Sequence, residues 1–366
     1  MLTGNVGEWS EVYVLLRLLA TGRLDAADEN LNKLKEVFFP IFKIIRNESK
    51  TSHSEFLIDS ESQIVKVYLN DELIQELPSD IFDEQADLLL EKMKIKHKNP
   101  TFCIQETEAF MNMLGCFKLA APSTDKSDIT LHIHDVTTGY NPLVGFSIKS
   151  ELGHPPTLLN ASNATTFVFT IGSYAYPSLY DVNEQYDYTK SGKKKLSVRG
   201  RLNTITDHGG TLIFHKIASD IFRDNLILID SRMDEILAHS LLYYYGEGIS
   251  SVREIVDRLK EDNPLEFGNP YAYEYKFRKF LAAVALGMKP KTVWNGQDEA
   301  TGGYIIVTKE GDVVAYHLYN RDCFESYLIE NTKFDTPSTS RNDFAKVYSD
   351  GNGNNLFDLN LQIRFK

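Results

Sequence analysis

Asp128 and Lys149 stand 21 residues apart at the ends of two alternating runs. In the first, Ile129, Leu131 and Ile133 alternate with Thr130, His132 and His134. In the second, Val144, Phe146 and Ile148 alternate with Gly145, Ser147 and Lys149, and Glu151 continues the polar face. Gly139, Asn141 and Pro142 between them are turn formers. The pattern predicts two antiparallel strands joined by loop 135–142, which would set a carboxylate beside an ammonium. That pair suits metal-assisted hydrolysis of a phosphodiester. The carboxylate holds a hard divalent cation such as magnesium, and the cation polarises a phosphoryl oxygen and acidifies water. The lysine positions or deprotonates that water, or stabilises charge in the transition state. On spacing alone, an ordinary strand pair carrying a surface Asp and Lys is the commoner explanation.

The elements around the hairpin follow from the same periodicities. Trp9, Val12, Tyr13, Leu16 and Leu19 recur at helical spacing, with Gly22 as a stop. Glu8 and Glu11 share another face of that helix. Segments 26–46, 80–95 and 105–116 read as helices, and 55–77 as strands. Further on, 157–166 is rich in hydroxyls and amides, 167–171 and 211–215 are strands, and 216–245, 251–261 and 274–287 are helical. A hairpin follows over 304–319, and 356–365 is a closing strand that a sheet should tie down. The expected fold is α/β (α+β), a mixed sheet flanked by helices.

Composition sets limits. The chain has 366 residues, 42% hydrophobic and 25% charged, enough for a sizeable core. Three cysteines at no metal-ligand spacing fit a reducing cytosol and argue against a disulfide framework or zinc knuckle. Glu8 and Glu11 interrupt the first apolar stretch, so no signal peptide is expected. No apolar run is long enough to span a bilayer. The expectation is a cytoplasmic protein. The net charge of −12 is awkward for a nucleic-acid partner, but a local basic patch can sit on an acidic body. Lys190, Lys193, Lys194, Lys195, Arg199 and Arg201 form such a run, although a solvated charged loop has the same composition.

Longer segments carry a resemblance. Ser127-Asp128 followed by Gly145-Phe146-Ser147-Ile148-Lys149 looks like the PD-(D/E)xK nuclease hairpin, with Ser127 in place of its proline and Ser147 in place of its second acid. Residues 4–19 (GNVGEWSEVYVLLRLL), 25–32 (DAADENLN), 145–162 (GFSIKSELGHPPTLLNAS) and 302–365 are similar to the HpaII restriction endonuclease family. The similarity touches the beginning, middle and end of the chain. It implies a restriction-endonuclease-like fold, a type II enzyme that cuts double-stranded DNA with magnesium at a CCGG-type target, and a DNA methyltransferase of matching specificity. A palindromic target suggests a homodimer, although some enzymes of this fold act as monomers. A workable division is 1–210, a nuclease core with the N-terminal helix, catalytic hairpin and basic loop, and 211–366, for DNA recognition and/or dimerisation, packed closely on the core.

Carried over by residue, Asp128 is the metal ligand and Lys149 the catalytic lysine, while Ser147 cannot supply the second negative charge. Glu11 and Glu151 are the candidates for the missing carboxylate, with Glu8, Glu29, Glu106 and Glu108 behind them. His132 and His134 share a face with Asp128, but no third ligand of the right type accompanies them, and a transition-metal site is not expected. For sequence readout, Arg199, Arg201 and Arg341 are candidates, since arginine against guanine is the commonest specific contact. Lys193, Lys194 and Lys195 suit phosphates, and Asn160, Ser162 and Asn163 are polar candidates that would equally serve as turn caps. A DNA-binding protein without catalysis and a repair-type nuclease of the same fold are the alternatives.

Overall fold

A computed structural model describes residues 1–28, 30–49, 51–96, 98–121, 127–136, 139–173, 179–188, 191–316 and 321–366. The fold is a mixed α/β one with a large mixed sheet, in two compact units: Met1–Pro156 with Asp298–Tyr327, and Thr157–Gln297 with Leu328–Lys366.

The first unit is organised by helix α1 (Val6–Thr21). Asn5 caps it by accepting the Glu8 N–H at 3.1 Å, while the Glu8 carboxylate accepts the Asn5 N–H at 2.7 Å. Gly22, at φ +63°, ends it in the left-handed conformation that favours glycine. Trp9, Val12, Tyr13, Val14, Leu15, Leu16, Leu18 and Leu19 are all buried, so apolar residues occupy nearly every face. Such a helix belongs inside a core rather than on its surface.

Around it lie strands β1 (Arg23–Ala27), β2 (Lys33–Asn47), β3 (His53–Asp59), β4 (Ile64–Leu69), β5 (Glu72–Pro78), β6 (Ile129–Ile133), β7 (Leu143–Ser150), β8 (Gly303–Val307) and β9 (Val313–Tyr316). Their order is β1-β9-β8-β7-β6-β2-β3-β4-β5, and β1 also pairs with β2. Six strands therefore close into a circuit. The pairs β1–β9 and β7–β8 are parallel and the remainder antiparallel. A strand with a parallel neighbour tends to be covered on both faces, and β7 is buried almost throughout. Helices α2 (Ser79–Lys96) and α3 (Gln105–Met113) and the first turns of the helix that starts at Arg321 complete the unit.

One expectation is overturned here: residues 26–46 are not helical but form β1, a turn and β2. Val37–Ile45 is dense in β-branched and aromatic residues, and Pro40 would break a helix interior. Pro40 instead precedes a register shift between Ile41 and Lys43, where a strand tolerates proline. The charged run Lys33–Glu36 that suggested a helix is the exposed start of the strand.

In the second unit, strands Thr211–Ile217, Thr166–Gly172, Asn355–Asn360 and Val347–Ser349 form one sheet, and Thr332–Phe334, Ile363–Phe365 and Thr157–Leu159 another. The closing strand expected over 356–365 is thus two strands in different sheets. The helical stretch 216–245 breaks at Asp230–Arg232 into Asp220–Ile229 and Met233–Leu242, followed by a π-helical turn. Among the described residues no helix is long and apolar enough to cross a membrane.

Candidate active site

β6 and β7 pair antiparallel with Ile129 opposite Phe146, so Asp128 falls opposite Ser147. The Asp128 N–H donates to Phe146 O at 2.8 Å and extends the ladder by one residue. Its carboxylate lies over β7, where Oδ2 accepts the Ile148 N–H at 2.6 Å and the Ser147 hydroxyl at 3.1 Å. Lys149 Nζ donates to Ser147 Oγ at 2.9 Å. The serine hydroxyl thus links ammonium to carboxylate, accepting from one and donating to the other. Gly145 is required here, because a Cβ on it would lie 2.1 Å from Ser127 Oγ.

Helix α1 brings Glu11 to the same place. The hydroxyls of Ser10 and Ser150 meet at 2.8 Å and fix the helix against β7. Glu11 Oε2 accepts the Ala121 N–H at 3.0 Å. Burial first, and the charge of Asp128 second, push Glu11 up to about 8, against the opposing Ala121 N–H, Arg46 and Lys149. A carboxyl this reluctant to ionise beside a second carboxylate marks a place short of positive charge. Two oxygen donors in such a place fit a hard divalent cation.

Arg46 was not foreseen, because it lay in the segment read as helix. It is buried, pairs with Glu48 at 2.6 Å and donates to Lys118 O. Glu48 in turn accepts the Phe117 N–H at 2.8 Å. The pair thereby pins the segment whose Ala121 N–H meets Glu11. A cleft of about 520 Å³ runs over the cluster, with Glu8, Glu11, Asp128 and Lys149 in its lining, and Lys98 and His154 adding basic groups. Neither of the last two stood out in the sequence, where Lys98 closes a lysine-rich run at the end of α2 and His154 is an isolated polar residue.

The other acidic candidates are engaged elsewhere. Glu151 is half-buried, raised by that burial, and set near Lys309 and Glu310 rather than in the cleft lining. Glu8 borders the cleft but is committed to capping α1. Glu106 meets Lys92 at 3.6 Å, and Glu108 meets the amino terminus at 3.3 Å. Glu29 lies outside the described residues. His132 Nε2 is 3.1 Å from Asn141 O and His134 Nδ1 is 2.7 Å from Asn141 Oδ1, so both hold the hairpin loop. Among the described residues, His53, Glu55 and Asp71 also gather three potential ligand atoms, but Lys43 already pairs with Glu55 at 3.2 Å.

The readout candidates divide by exposure. Lys193, Lys194 and Lys195 are exposed on or beside the hairpin of Tyr186–Tyr188 and Lys194–Leu196, with Lys194 3.7 Å above the Tyr186 ring. Arg199 and Arg341 are exposed, as are Asn160 and Asn163. Lys190 lies outside the described residues. Ser162 is a turn cap, accepting the Ala164 N–H at 3.2 Å.

Arg201 departs from expectation, for only 2% of it is exposed. Its guanidinium donates to Ala345 O at 2.7 Å and to Asn183 O, and lies over the Tyr186 ring. Helical periodicity turns it inward while Arg199 points out. Replacing it with alanine would strand those carbonyls, so Arg201→Ala is expected to destabilise the protein by about 2–4 kcal/mol. The measurement is the urea midpoint, and an unchanged midpoint would show those bonds to be dispensable.

Comparison with known proteins places the chain in a family. The family model of the HpaII restriction endonuclease matches residues 5–365. The type II restriction enzyme HpaII of Haemophilus parainfluenzae is 43% identical over 366 residues, covering 99% of this chain and 98% of that protein. No solved structure matches. The similarity runs through the strand pair that carries Asp128, Ser147 and Lys149 and through the helix that carries Glu11, and the chain belongs to the HpaII restriction endonuclease family of type II restriction enzymes.

Proposed function

We propose that this chain hydrolyses phosphodiester bonds of double-stranded DNA at a short CCGG-type sequence, with magnesium, as a PD-(D/E)xK nuclease in which serine replaces the second acid. The observation that carries the reading is the convergence of Asp128, Lys149 and Glu11 on one open cleft, with the buried Ser147 hydroxyl bridging Lys149 to Asp128. Asp128 and Glu11 supply the carboxylate oxygens that hold the ion, and Glu151, near Lys309, is the weaker choice. When bound, magnesium contributes positive charge at the attacked phosphate and acidifies water. Ser147 replaces the missing acid by position rather than by charge, aligning Lys149 with Asp128. Lys149 brings a fixed ammonium to the charge that develops on phosphate.

The exposed cations at Lys193, Lys194, Lys195, Arg199 and Arg341, with Asn160 and Asn163, are assigned to phosphate and base contacts. A target of G·C pairs favours Arg and Lys against guanine. Recognition and/or dimerisation is assigned to residues 211–366, and a homodimer would match a palindromic target. The enzyme would act in the cytoplasm, with a methyltransferase of the same specificity protecting host DNA.

Incubation of the purified chain with magnesium and plasmid DNA tests the reading. Discrete fragments whose ends map to one short sequence are expected, and methylation of that sequence should block them. A smear would point to a nuclease without sequence preference. DNA left intact with both magnesium and manganese would leave only a binding protein.

A further inference from the structure

β8 lies parallel to β7 with Tyr304 in register with Ser147 and Ile306 with Lys149. Registered residues of adjacent strands point to the same face of a sheet, so Tyr304 shares the face that bears Ser147 and Lys149. Lys149 Nζ stands 5.2 Å from the centroid of the Tyr304 ring. Only 2% of the tyrosine is exposed, and Phe324 backs it edge to face with ring centroids 5.1 Å apart. Nothing in the sequence marks Tyr304 out, since an apolar strand residue is ordinarily core filling.

Two of the contacts made by the Lys149 ammonium are therefore of different kinds. Ser147 Oγ accepts one of its protons at 2.9 Å, and an aromatic face presents negative electrostatic potential to the same charge. A lysine side chain has four rotatable carbon–carbon bonds and is otherwise free to point into solvent. A single hydrogen bond to a hydroxyl leaves it a wide arc of positions. A buried, immobilised ring beneath the ammonium narrows that arc, and burial strengthens the attraction because less water competes. The phenol stays protonated, pushed up by its burial and by the charge of Asp128, so the ring does not acquire a charge that would bind the lysine as an ion pair.

We propose that Tyr304 is a positioning residue for DNA cleavage, whose ring face holds the Lys149 ammonium in line with Ser147 and Asp128. The assignment rests on the reading of Lys149 as the working cation of a magnesium-dependent nuclease. It predicts dependence on the π-electrons of the ring rather than on its hydroxyl or bulk. Tyr304→Phe keeps the face and should retain kcat within about threefold. Tyr304→Leu keeps apolar volume without the face and should lower kcat about 10- to 30-fold with KM nearly unchanged.

The deciding experiment keeps shape constant and drains the ring of electrons. Phenylalanine, monofluoro-, difluoro- and trifluorophenylalanine are placed at position 304 of the full chain, and single-turnover cleavage of a plasmid is followed with magnesium. Thermal melting confirms that each variant is folded. A stepwise fall in rate, about tenfold across the series, with DNA affinity constant is the expected result. A flat series, a Tyr304→Leu variant with wild-type kcat, or a Tyr304→Phe variant as slow as Tyr304→Leu would each overturn the proposal. Failure of the underlying reading looks different. Wild-type protein that leaves DNA intact, or Lys149→Ala that cuts at the wild-type rate, removes the role of the lysine and the tyrosine's role with it.

Discussion

Asp128→Asn is expected to lower the single-turnover cleavage rate by at least about a thousandfold while DNA binding persists. The carboxylate does two things that an amide cannot do together. On the proposed mechanism it would contribute a charged oxygen for a hard cation, and through Oδ2 it accepts both the Ile148 N–H at 2.6 Å and the Ser147 hydroxyl at 3.1 Å. Asparagine keeps the shape, so the strand pair should persist, but a neutral oxygen is a far poorer magnesium ligand. Binding should survive because the phosphate and base contacts are assigned to other residues. In metal-free buffer it should tighten, since one negative charge facing the phosphates has gone. The variant also carries an internal check. The Asp128 charge is the second cause of the raised Glu11 carboxyl, so Glu11 should titrate lower in Asp128→Asn than in the wild type. Cleavage within about tenfold of wild type would remove Asp128 from the mechanism, and an unmoved Glu11 titration would show that the two carboxylates do not interact.

What could be seen in the sequence was whatever depends on neighbours along the chain. The strand pair β6–β7 was legible because period-two alternation and the turn formers Gly139, Asn141 and Pro142 are local signals. So was α1, bounded by Gly22 and patterned by Trp9, Val12, Leu16 and Leu19. Which acid stands beside Asp128 was not decidable. Glu11 and Glu151 were both near enough in principle, and the choice turns on the Ser10–Ser150 contact, made between residues 140 positions apart. Tyr304 was invisible for a similar reason. Its place beside Lys149 comes from a parallel pairing, which needs a long crossover and leaves no mark in either strand. Arg46 was hidden by an error of type, since a strand dense in charge at its start was read as helix. In the basic run, composition showed the charges but not their burial, and Arg201 turned out to be a clamp inside the fold.

Glu11→Gln couples activity to stability in opposite directions, and the sign follows from the carboxyl's position. Its folded-state value, about 8, lies above the ordinary 4.5. Between those values the folded protein holds a proton that the unfolded chain has released, so stability falls as pH rises. The stabilisation is fully present below 4.5 and is lost as pH passes through about 8. At the alkaline end the loss is on the order of 5 kcal/mol. Glutamine has no proton to lose, and its amide oxygen can still accept the Ala121 N–H. Metal-free Glu11→Gln should therefore melt at a higher temperature than wild type, by a margin that widens from pH 5 to pH 9. With magnesium the order should reverse. On the proposed mechanism the ion needs the ionised carboxylate, so in the wild type its binding should release a proton and tighten as pH rises toward 8. The variant gains little from the ion and should cleave at least about a hundredfold more slowly. Melting curves across pH, with and without magnesium, and single-turnover rates measure all of this. A melting difference that ignores pH would mean that Glu11 is ionised throughout. Cleavage within about tenfold of wild type would return the missing acid to Glu151, two residues beyond Lys149.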